Sequence, residues 1–468
     1  MSNQKAVPFR VGHWLPSDQA VLENWLDKLI KESKQQRKTF EAKREKALSE
    51  NAEDSKLYIE AVNSDFLHPV LLEFKELIED DPEIFMFFNQ MFTQVPKRPP
   101  YNKNPNGDPQ VKNYEEMLDL MNVILTRSPE WNEDANESGL IGFPINAILD
   151  WSMGTTGGFA AFLNAKVNAQ LKKVLNVWSD FLVSPDSCYA LDNSKIGWFN
   201  KEALTALAEA DPFHGQGKDP KGPKKNFIYN FKCDPKDLPH WGFTSWDDFF
   251  TREFNEGIRP VASPDDNDVI VNACESAPYR VAYAVKQRDQ FWIKAQPYSL
   301  EHILANDELA DQFIGGTIYQ AFLSAKSYHR WHSPVSGEIK KAYVVDGSYY
   351  AEALSEGFDP AGPNNSQGYI TEVATRALIF IQADNPAIGL MCFVAVGMAE
   401  VSSCDITVKV GDKIKKGEQL GMFHFGGSTH CLIFRPEVRL AFDLHGQAPG
   451  LDSNNIPLNS RIATVCTK

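Results

Sequence analysis

Five consecutive residues near the end of the chain, Gly426-Gly427-Ser428-Thr429-His430, could do chemistry on their own backbone. Glycines permit the tight turn in which a serine hydroxyl attacks the carbonyl carbon of the residue before it. Attack on Gly427 turns the amide into an ester, and elimination cuts the chain between residues 427 and 428 and leaves dehydroalanine. Hydrolysis of dehydroalanine releases ammonia and leaves a pyruvoyl group, a ketone that captures an amine. The segment therefore predicts a self-made carbonyl cofactor at Ser428, although an ordinary turn is the commoner use of such residues.

Two further segments carry a family resemblance in the same order along the chain. Residues 328–334, Tyr-His-Arg-Trp-His-Ser-Pro, resemble the Tyr-His-Arg-x-His-x-Pro segment of phosphatidylserine decarboxylases. Residues 249–253, Phe-Phe-Thr-Arg-Glu, followed by Gly-Ile-Arg-Pro at 257–260, resemble that family's Phe-Phe-x-Arg segment. This likeness covers about residues 241–468. Residues 74–82 and 157–162 resemble segments of the soluble tryptophan decarboxylase branch known from fungi, so the likeness spans nearly the whole chain.

The resemblance implies roles for four residues. Ser428 is the nucleophile, and His332, the second histidine of its motif, is the base that takes the serine proton. The family orients this base with an Asp in a Pro-Ala-Asp-Gly segment, and the matching segment here places Glu275 there, one methylene longer. His329 is the candidate acid that protonates the substrate carbon after CO2 leaves. On a strand the two histidines face opposite sides, and on a helical turn the same side; both alternatives stay open.

The expected activity follows from the ketone and the motifs. We expect a zymogen that processes itself into a pyruvoyl-dependent carboxy-lyase and releases CO2 from a free aromatic L-amino acid, such as tryptophan, through a Schiff base. The alternative is a phosphatidylserine decarboxylase that makes phosphatidylethanolamine. Pyridoxal phosphate is not expected because the ketone replaces it, and no Cys/His cluster predicts a metal. The large and small chains should stay associated through shared strands, and homo-oligomerisation is left open.

Three other classes of function compete with this interpretation. A serine hydrolase would need glycine after Thr429 to complete a nucleophile elbow, and the residue there is His430. A non-catalytic binding module with a lipoyl-like core would leave the Gly-Gly-Ser-Thr segment unexplained. An inactive relative is the third alternative, because Glu275 departs from the family's Asp, but Ser428 and both motif histidines are retained.

Composition narrows the class of protein. The chain has 468 residues and a net charge of −15, which disfavours binding to nucleic acid or anionic headgroups. The N-terminus lacks the apolar core of a signal peptide, and the longest apolar run, 388–398, is too short to span a bilayer and predicts a buried strand. Seven scattered cysteines make neither a metal spacing nor an even disulfide framework. These features predict a cytoplasmic protein.

The change of residue pattern along the chain predicts an α+β protein. Helical patterns dominate residues 1–226, and the Pro-, Gly- and Lys-rich stretch 212–225 is the predicted linker. Short β-rich segments then fill a decarboxylase-like domain, residues 227–468. Residues 332–344 and 410–421 resemble the two facing halves of a lipoyl-type barrel-sandwich, which gives that domain its expected character.

Overall fold

The computed structural model describes residues 20–53, 55–97, 111–133, 136, 142–211, 221–289, 298–353, 366–400, 403–424, 428–450 and 452–466. Helices dominate the first half and antiparallel sheets the second, so the predicted α+β class is confirmed. One continuous cluster of buried apolar side chains runs from Leu22 to Val465. The two halves therefore share a core.

The described helices of the first half are α1 (Ala20–Glu50), α2 (Lys56–Asn63), α3 (Pro69–Asp80), α4 (Pro82–Thr93), α5 (Tyr114–Ile124), α6 (Pro144–Met153), α7 (Thr156–Leu163), α8 (Ala165–Leu182), α9 (Lys201–Ala210) and α10 (Pro223–Asn230), with a 3-10 helix at Pro185–Ala190. Three short helices follow: α11 (Trp246–Phe250), α12 (Leu300–Ile303) and α13 (Gln367–Val373). Helix α10 crosses the predicted boundary at residue 226, and most of the predicted linker lies outside the described residues. None of the described helices is both long and apolar enough to cross a lipid bilayer.

One residue pair separates α3 from α4. Asp81 leaves the helical conformation, and its side chain accepts hydrogen bonds from the backbone N–H groups of Glu83 (3.1 Å) and Ile84 (3.4 Å). Pro82 occupies the first turn of α4, where its missing N–H costs nothing. An N-cap followed by proline thus ends one helix and starts the next.

A tight turn at Gly154 and Thr155 separates α6 from α7. Thr155 caps α7 by accepting a hydrogen bond from the Gly158 N–H at 3.0 Å. A Cβ atom at Gly158 would lie 2.1 Å from the carbonyl oxygen of Ser152, so the close approach of the two helices requires glycine. Helix α6 buries the polar residues Asn146 and Asp150, and the Asn146 N–H donates to Glu400 of the second half at 2.7 Å.

The strands are β1 (Val269–Val271), β2 (Ala277–Ala282), β3 (Thr317–Leu323), β4 (Arg330–His332), β5 (Gly337–Val345), β6 (Arg376–Ala383), β7 (Leu390–Gly397), β8 (Ser403–Ile406), β9 (Lys413–Ile414), β10 (Gln419–His424), β11 (Ser428–Phe434), β12 (Leu440–Phe442) and β13 (Arg461–Val465). They form a seven-stranded antiparallel sheet, β2-β3-β11-β7-β6-β5-β9, and two three-stranded sheets, β1-β13-β12 and β4-β10-β8. All eight residues of β7 are buried, which confirms the buried strand predicted from the apolar run. Strand β5 pairs with β9, so the two segments resembling barrel-sandwich halves meet at Gly337 and Ile414.

Candidate active site

Ser428 is the first residue of β11, in the middle of the seven-stranded sheet. It pairs with Leu323 on β3 and with Gly397 on β7. Its side chain is fully buried, and its hydroxyl oxygen has no hydrogen-bond partner among the described residues. Gly427, the other predicted cleavage-site residue, lies outside the described residues. The structure therefore describes the predicted nucleophile and not the bond that it is predicted to cut.

The two residues after Ser428 are held in different ways. The Thr429 hydroxyl donates a hydrogen bond to the Ala321 carbonyl oxygen (2.9 Å) and accepts one from Nε2 of Gln320 (3.0 Å). His430, on the same face of the strand as Ser428, stacks on Phe393 with ring centroids 5.9 Å apart. Burial lowers the pKa of His430 to about 3, so its imidazole is neutral at physiological pH. Ser428 thus begins a rigidly packed strand.

His329 lies directly before β4, close to the end of β10. Its ring is fully buried and stacks on Phe250, with centroids 4.2 Å apart and planes 23° apart. Its carbonyl oxygen accepts a hydrogen bond from the Phe423 N–H at 3.0 Å. Since the segment is extended, His329 and His332 face opposite sides, and the strand alternative is correct. The first histidine is therefore next to the chain that leads into the Gly-Gly-Ser-Thr segment.

His332 uses both ring nitrogens in hydrogen bonds. Nδ1 lies 2.8 Å from the Gly417 carbonyl oxygen, and Nε2 lies 3.1 Å from the Tyr328 hydroxyl. A carbonyl oxygen only accepts, so Nδ1 carries the proton and Nε2 accepts from Tyr328. Burial lowers the pKa of His332 to about 4, which keeps this tautomer neutral. His332 also lines an open cleft of about 200 Å³ with Glu253 and Arg259.

Glu275 is fully buried and bonded to Arg259. Its carboxylate accepts from Nε (3.0 Å) and Nη2 (2.8 Å) of Arg259 and from the backbone N–H of Leu458 (2.8 Å). The chain before it is close to His332, whose backbone N–H donates to the Ala273 carbonyl oxygen at 2.8 Å. Among the described residues, no hydrogen bond joins the side chains of Glu275, His332 and Ser428. Their roles as a triad stay a prediction.

The arginine of the Phe-Phe-x-Arg segment has a partner that sequence reasoning missed. Arg252 Nη2 donates to Asp211 Oδ2 at 2.9 Å and to the Lys326 carbonyl oxygen at 2.7 Å, and both side chains of the ion pair are buried. Its guanidinium also lies 4.5 Å from the centre of the Phe231 ring. The motif arginine thus ties the start of the second half to the residue that follows α9 in the first half.

A histidine–carboxylate pair at the end of β10 was also missed. Nδ1 of His424 lies 3.0 Å from both carboxylate oxygens of Asp247, on α11. Burial lowers the pKa of His424, but the hydrogen bond and charge of Asp247, together with Asp405, outweigh it and raise the pKa above its usual value. The sequence signal was the position of His424 four residues before Ser428. Its partner, 177 residues away, was visible only in the fold.

Comparisons with known proteins identify the family of this chain. Family models described as phosphatidylserine decarboxylase match residues 68–207 and 246–448. The chain is 42% identical to the decarboxylase iboD of Amanita muscaria over 69% of this chain and 94% of that protein. It is 37% identical to an L-tryptophan decarboxylase of Psilocybe cubensis (78% of this chain, 80% of that protein) and 34% identical to one of Psilocybe cyanescens (84% and 85%). These matches, over a sheet that buries Ser428 at the start of an interior strand, show that the chain belongs to the phosphatidylserine decarboxylase family of pyruvoyl-dependent enzymes.

Proposed function

We propose that this chain cleaves itself between Gly427 and Ser428 and then decarboxylates a free aromatic L-amino acid of the tryptophan type. The observation that carries the proposal is the Ser428 side chain, buried at the first position of β11 and without a hydrogen-bond partner among the described residues. Burying a hydroxyl without a hydrogen-bond partner is unfavourable and therefore rare in folded proteins. An unpaired hydroxyl within the described fold thus supports a chemical role for Ser428.

The surroundings of Ser428 fit the pyruvoyl group that cleavage would produce. The residue opposite on β7 is Gly397, which has no side chain to crowd the new terminus. Strand β11 is hydrogen-bonded to β3 on one side and β7 on the other, so residues 428–434 would stay in the sheet after the chain is cut. The large chain, residues 1–427, and the small chain, residues 428–468, would therefore remain associated.

When formed, the pyruvoyl ketone supplies an electron sink for the charge that develops as CO2 leaves. The remaining work falls to side chains of this chain. His332 is neutral, and its Nδ1–H donates to the Gly417 carbonyl oxygen, so Nε2 carries a lone pair. This lone pair is what a base for the Ser428 proton requires, and it becomes available when the Tyr328 hydroxyl stops donating to it. His329, buried on the Phe250 ring, is the proposed proton donor to the substrate carbon. Glu275 is the proposed orienting acid.

A free amino acid is the preferred substrate class because of the names of two relatives and the share of this chain that aligns with them. Two relatives that align with 78% and 84% of this chain are named L-tryptophan decarboxylase. The similarity to them includes the helical first half, in addition to the part that carries the motifs. We therefore place the lipid phosphatidylserine second.

The test begins with the intact mass of the purified protein under denaturing conditions. We expect two species, with the small one beginning at residue 428 and carrying the mass change that conversion of its N-terminal serine to a pyruvoyl group produces. Ser428→Ala should give a single chain without activity, whereas Ser49→Ala, the same change on an exposed face of α1, should cleave normally. A wild-type chain that stays uncut and still releases CO2 would refute the proposal.

Release of labelled CO2 then decides the substrate class. The cleaved enzyme is given L-tryptophan in solution or phosphatidylserine in vesicles, each labelled at the carboxyl carbon. We expect release from the free amino acid. Release from the vesicles alone would replace the proposed function with its alternative.

A further inference from the structure

Three buried carboxyl groups meet where α6 contacts two loops of the second half. Asp150 comes from α6, Glu352 from the loop after β5 and Glu400 from the loop after β7, and their exposed fractions are 1%, 1% and 0%. We call these three residues the acidic cluster. Among the described residues, no lysine or arginine forms an ion pair with any of them. No group of three or more His, Cys, Asp or Glu side chains among the described residues is arranged to hold a metal ion.

The acidic cluster lies at the end of the sheet where Ser428 begins its strand. Strand β7 ends at Gly397, the partner of Ser428, and Glu400 follows three residues later, within about 10 Å of extended chain. Val345, the last residue of β5, is in the adjacent row of the sheet. It pairs with Arg376, Arg376 pairs with Val396, and Val396 pairs with Thr429. Both loops therefore leave the sheet on the side of the candidate active site.

Hydrogen bonds join the three segments. The Asn146 N–H of α6 donates to Glu400 Oε1 at 2.7 Å, and the Ala399 N–H donates to the Tyr349 carbonyl oxygen at 3.1 Å. The helical first half thus contributes a carboxyl group, Asp150, to a site at the end of the sheet where Ser428 begins its strand. This contact gives the first half a role that its sequence did not reveal.

The polar atoms of this site have few partners within the described fold. Both oxygens of Asp150, both oxygens of Glu352 and Oε2 of Glu400 accept no hydrogen bond from any described residue. The side-chain amide of Asn146 and the hydroxyl of Tyr350, each at least 99% buried, also have none. Folded proteins rarely leave buried polar groups in this state, and five in neighbouring positions mark a place built for polar contact with something else.

The charge of the cluster is tuned by burial. Burial raises the pKa of Asp150 and of Glu400 to about 7, and burial together with the charge of Asp150 raises the pKa of Glu352 well above its usual value. Aromatic rings adjoin the site: Tyr350 packs against Phe162 with centroids 5.9 Å apart. The site therefore combines hydrogen-bond acceptors with an aromatic wall.

We propose that the acidic cluster is the polar end of the substrate pocket and binds the ring N–H of a nitrogen-bearing aromatic side chain. This inference rests on the proposed function. A carboxyl oxygen accepts hydrogen bonds in both the neutral and the ionised form, so a ligand that brings a donor, as an indole ring does, satisfies it. The phosphodiester of a phospholipid brings no donor, and its negative charge would be repelled by any ionised member of the cluster. The cluster selects the free amino acid over the lipid.

The test compares L-tryptophan with 3-(benzothiophen-3-yl)-L-alanine, in which sulfur replaces the ring N–H at nearly the same shape. For the wild-type enzyme we expect kcat/KM to be about 100-fold higher for L-tryptophan, because the analogue leaves a buried acceptor unpaired. Glu352→Met and Asp150→Leu, which replace the carboxyl groups by apolar side chains of similar size, should reduce this ratio to below about 10-fold, mainly by raising KM for L-tryptophan. Glu76→Met, the same change at an exposed position of α3, should keep the full ratio.

A second readout separates substrate binding from a structural role. In the uncleaved Ser428→Ala background, Glu352→Met should leave the unfolding temperature unchanged or raise it, because an apolar side chain is less costly to bury than an unpaired carboxyl group. A lowered unfolding temperature, or variants that keep the wild-type preference for L-tryptophan, would overturn the inference and leave the proposed function intact. A wild-type enzyme that releases CO2 from no free amino acid would overturn both.

Discussion

The ion pair of Glu275 and Arg259 offers the sharpest test of how this fold is held. Their side chains are 0% and 3% exposed, and the carboxylate accepts two hydrogen bonds from the guanidinium and one from the backbone of Leu458. Glu275→Gln leaves the arginine charge buried without its counter-ion. Breaking one partner of a buried pair costs about 3–5 kcal/mol, so we expect a loss of unfolding free energy of that size.

The double variant Arg259→Met/Glu275→Gln should recover most of this loss. The unpaired charge is gone, and methionine can occupy the place of the guanidinium, which lies 4.4 Å from the centre of the Phe254 ring. The glutamine side chain introduced by Glu275→Gln keeps an oxygen that can accept from the Leu458 N–H. We expect the double variant to lie within about 1–2 kcal/mol of the parent, as in other cases where apolar groups replace a buried pair.

The assay is urea unfolding in the Ser428→Ala background, so that every variant is a single uncut chain. Glu338→Gln is the control, because Glu338 pairs with Lys340 and Lys413 at the surface and its loss should shift the midpoint far less. The reasoning is refuted if Glu275→Gln costs less than about 1 kcal/mol, or if the double variant is no more stable than the single one.

The same double variant, with Ser428 restored, tests the predicted role of Glu275 in processing. If it folds and stays uncut, the carboxylate is needed for cleavage beyond its pairing with Arg259. If it folds and cleaves as the parent does, Glu275 is not the orienting acid, and the contact with Arg259 is its function. Intact mass gives the answer directly.

Two further predictions concern the histidines. His329→Ala should still cleave but decarboxylate about 10²–10⁴-fold more slowly, whereas His332→Ala should stay uncut. Intact mass measures cleavage and CO2 release measures decarboxylation. Exchanged phenotypes would reverse the assigned roles. His430→Phe should make the stability of the protein less sensitive to acid. Burial depresses the folded-state pKa of His430 to about 3. The stability that neutral His430 contributes is therefore present above its unfolded-state pKa of about 6.5 and is lost as pH falls toward 3. Relative to this variant, the wild-type protein should lose about 2 kcal/mol between pH 8 and pH 5, measured by urea unfolding, and a difference independent of pH would contradict the assignment.

Several features of this protein could be predicted from short stretches of sequence, because their physical causes are local. The Gly-Gly-Ser-Thr segment carries its own chemistry, since the attacking hydroxyl and the attacked carbonyl are neighbours in the chain. The apolar run 388–398 predicted a buried strand, and β7 is fully buried. The α+β order followed from the change of residue pattern along the chain. Even the break between α3 and α4 has a local signal, Asp81 followed by Pro82.

Only the tertiary structure decided which charges face each other. Glu275 meets Arg259, Asp211 meets Arg252, and Asp247 meets His424 across separations of 16, 41 and 177 residues. The acidic cluster takes one carboxyl group from the helical half and two from loops that the sheet register brings to the same end as Ser428. Propensity, capping and turn chemistry act over a few residues, and the chain specifies them directly. Ion pairs and buried acids depend on which strands become neighbours, and that choice is made by the burial of the whole core at once.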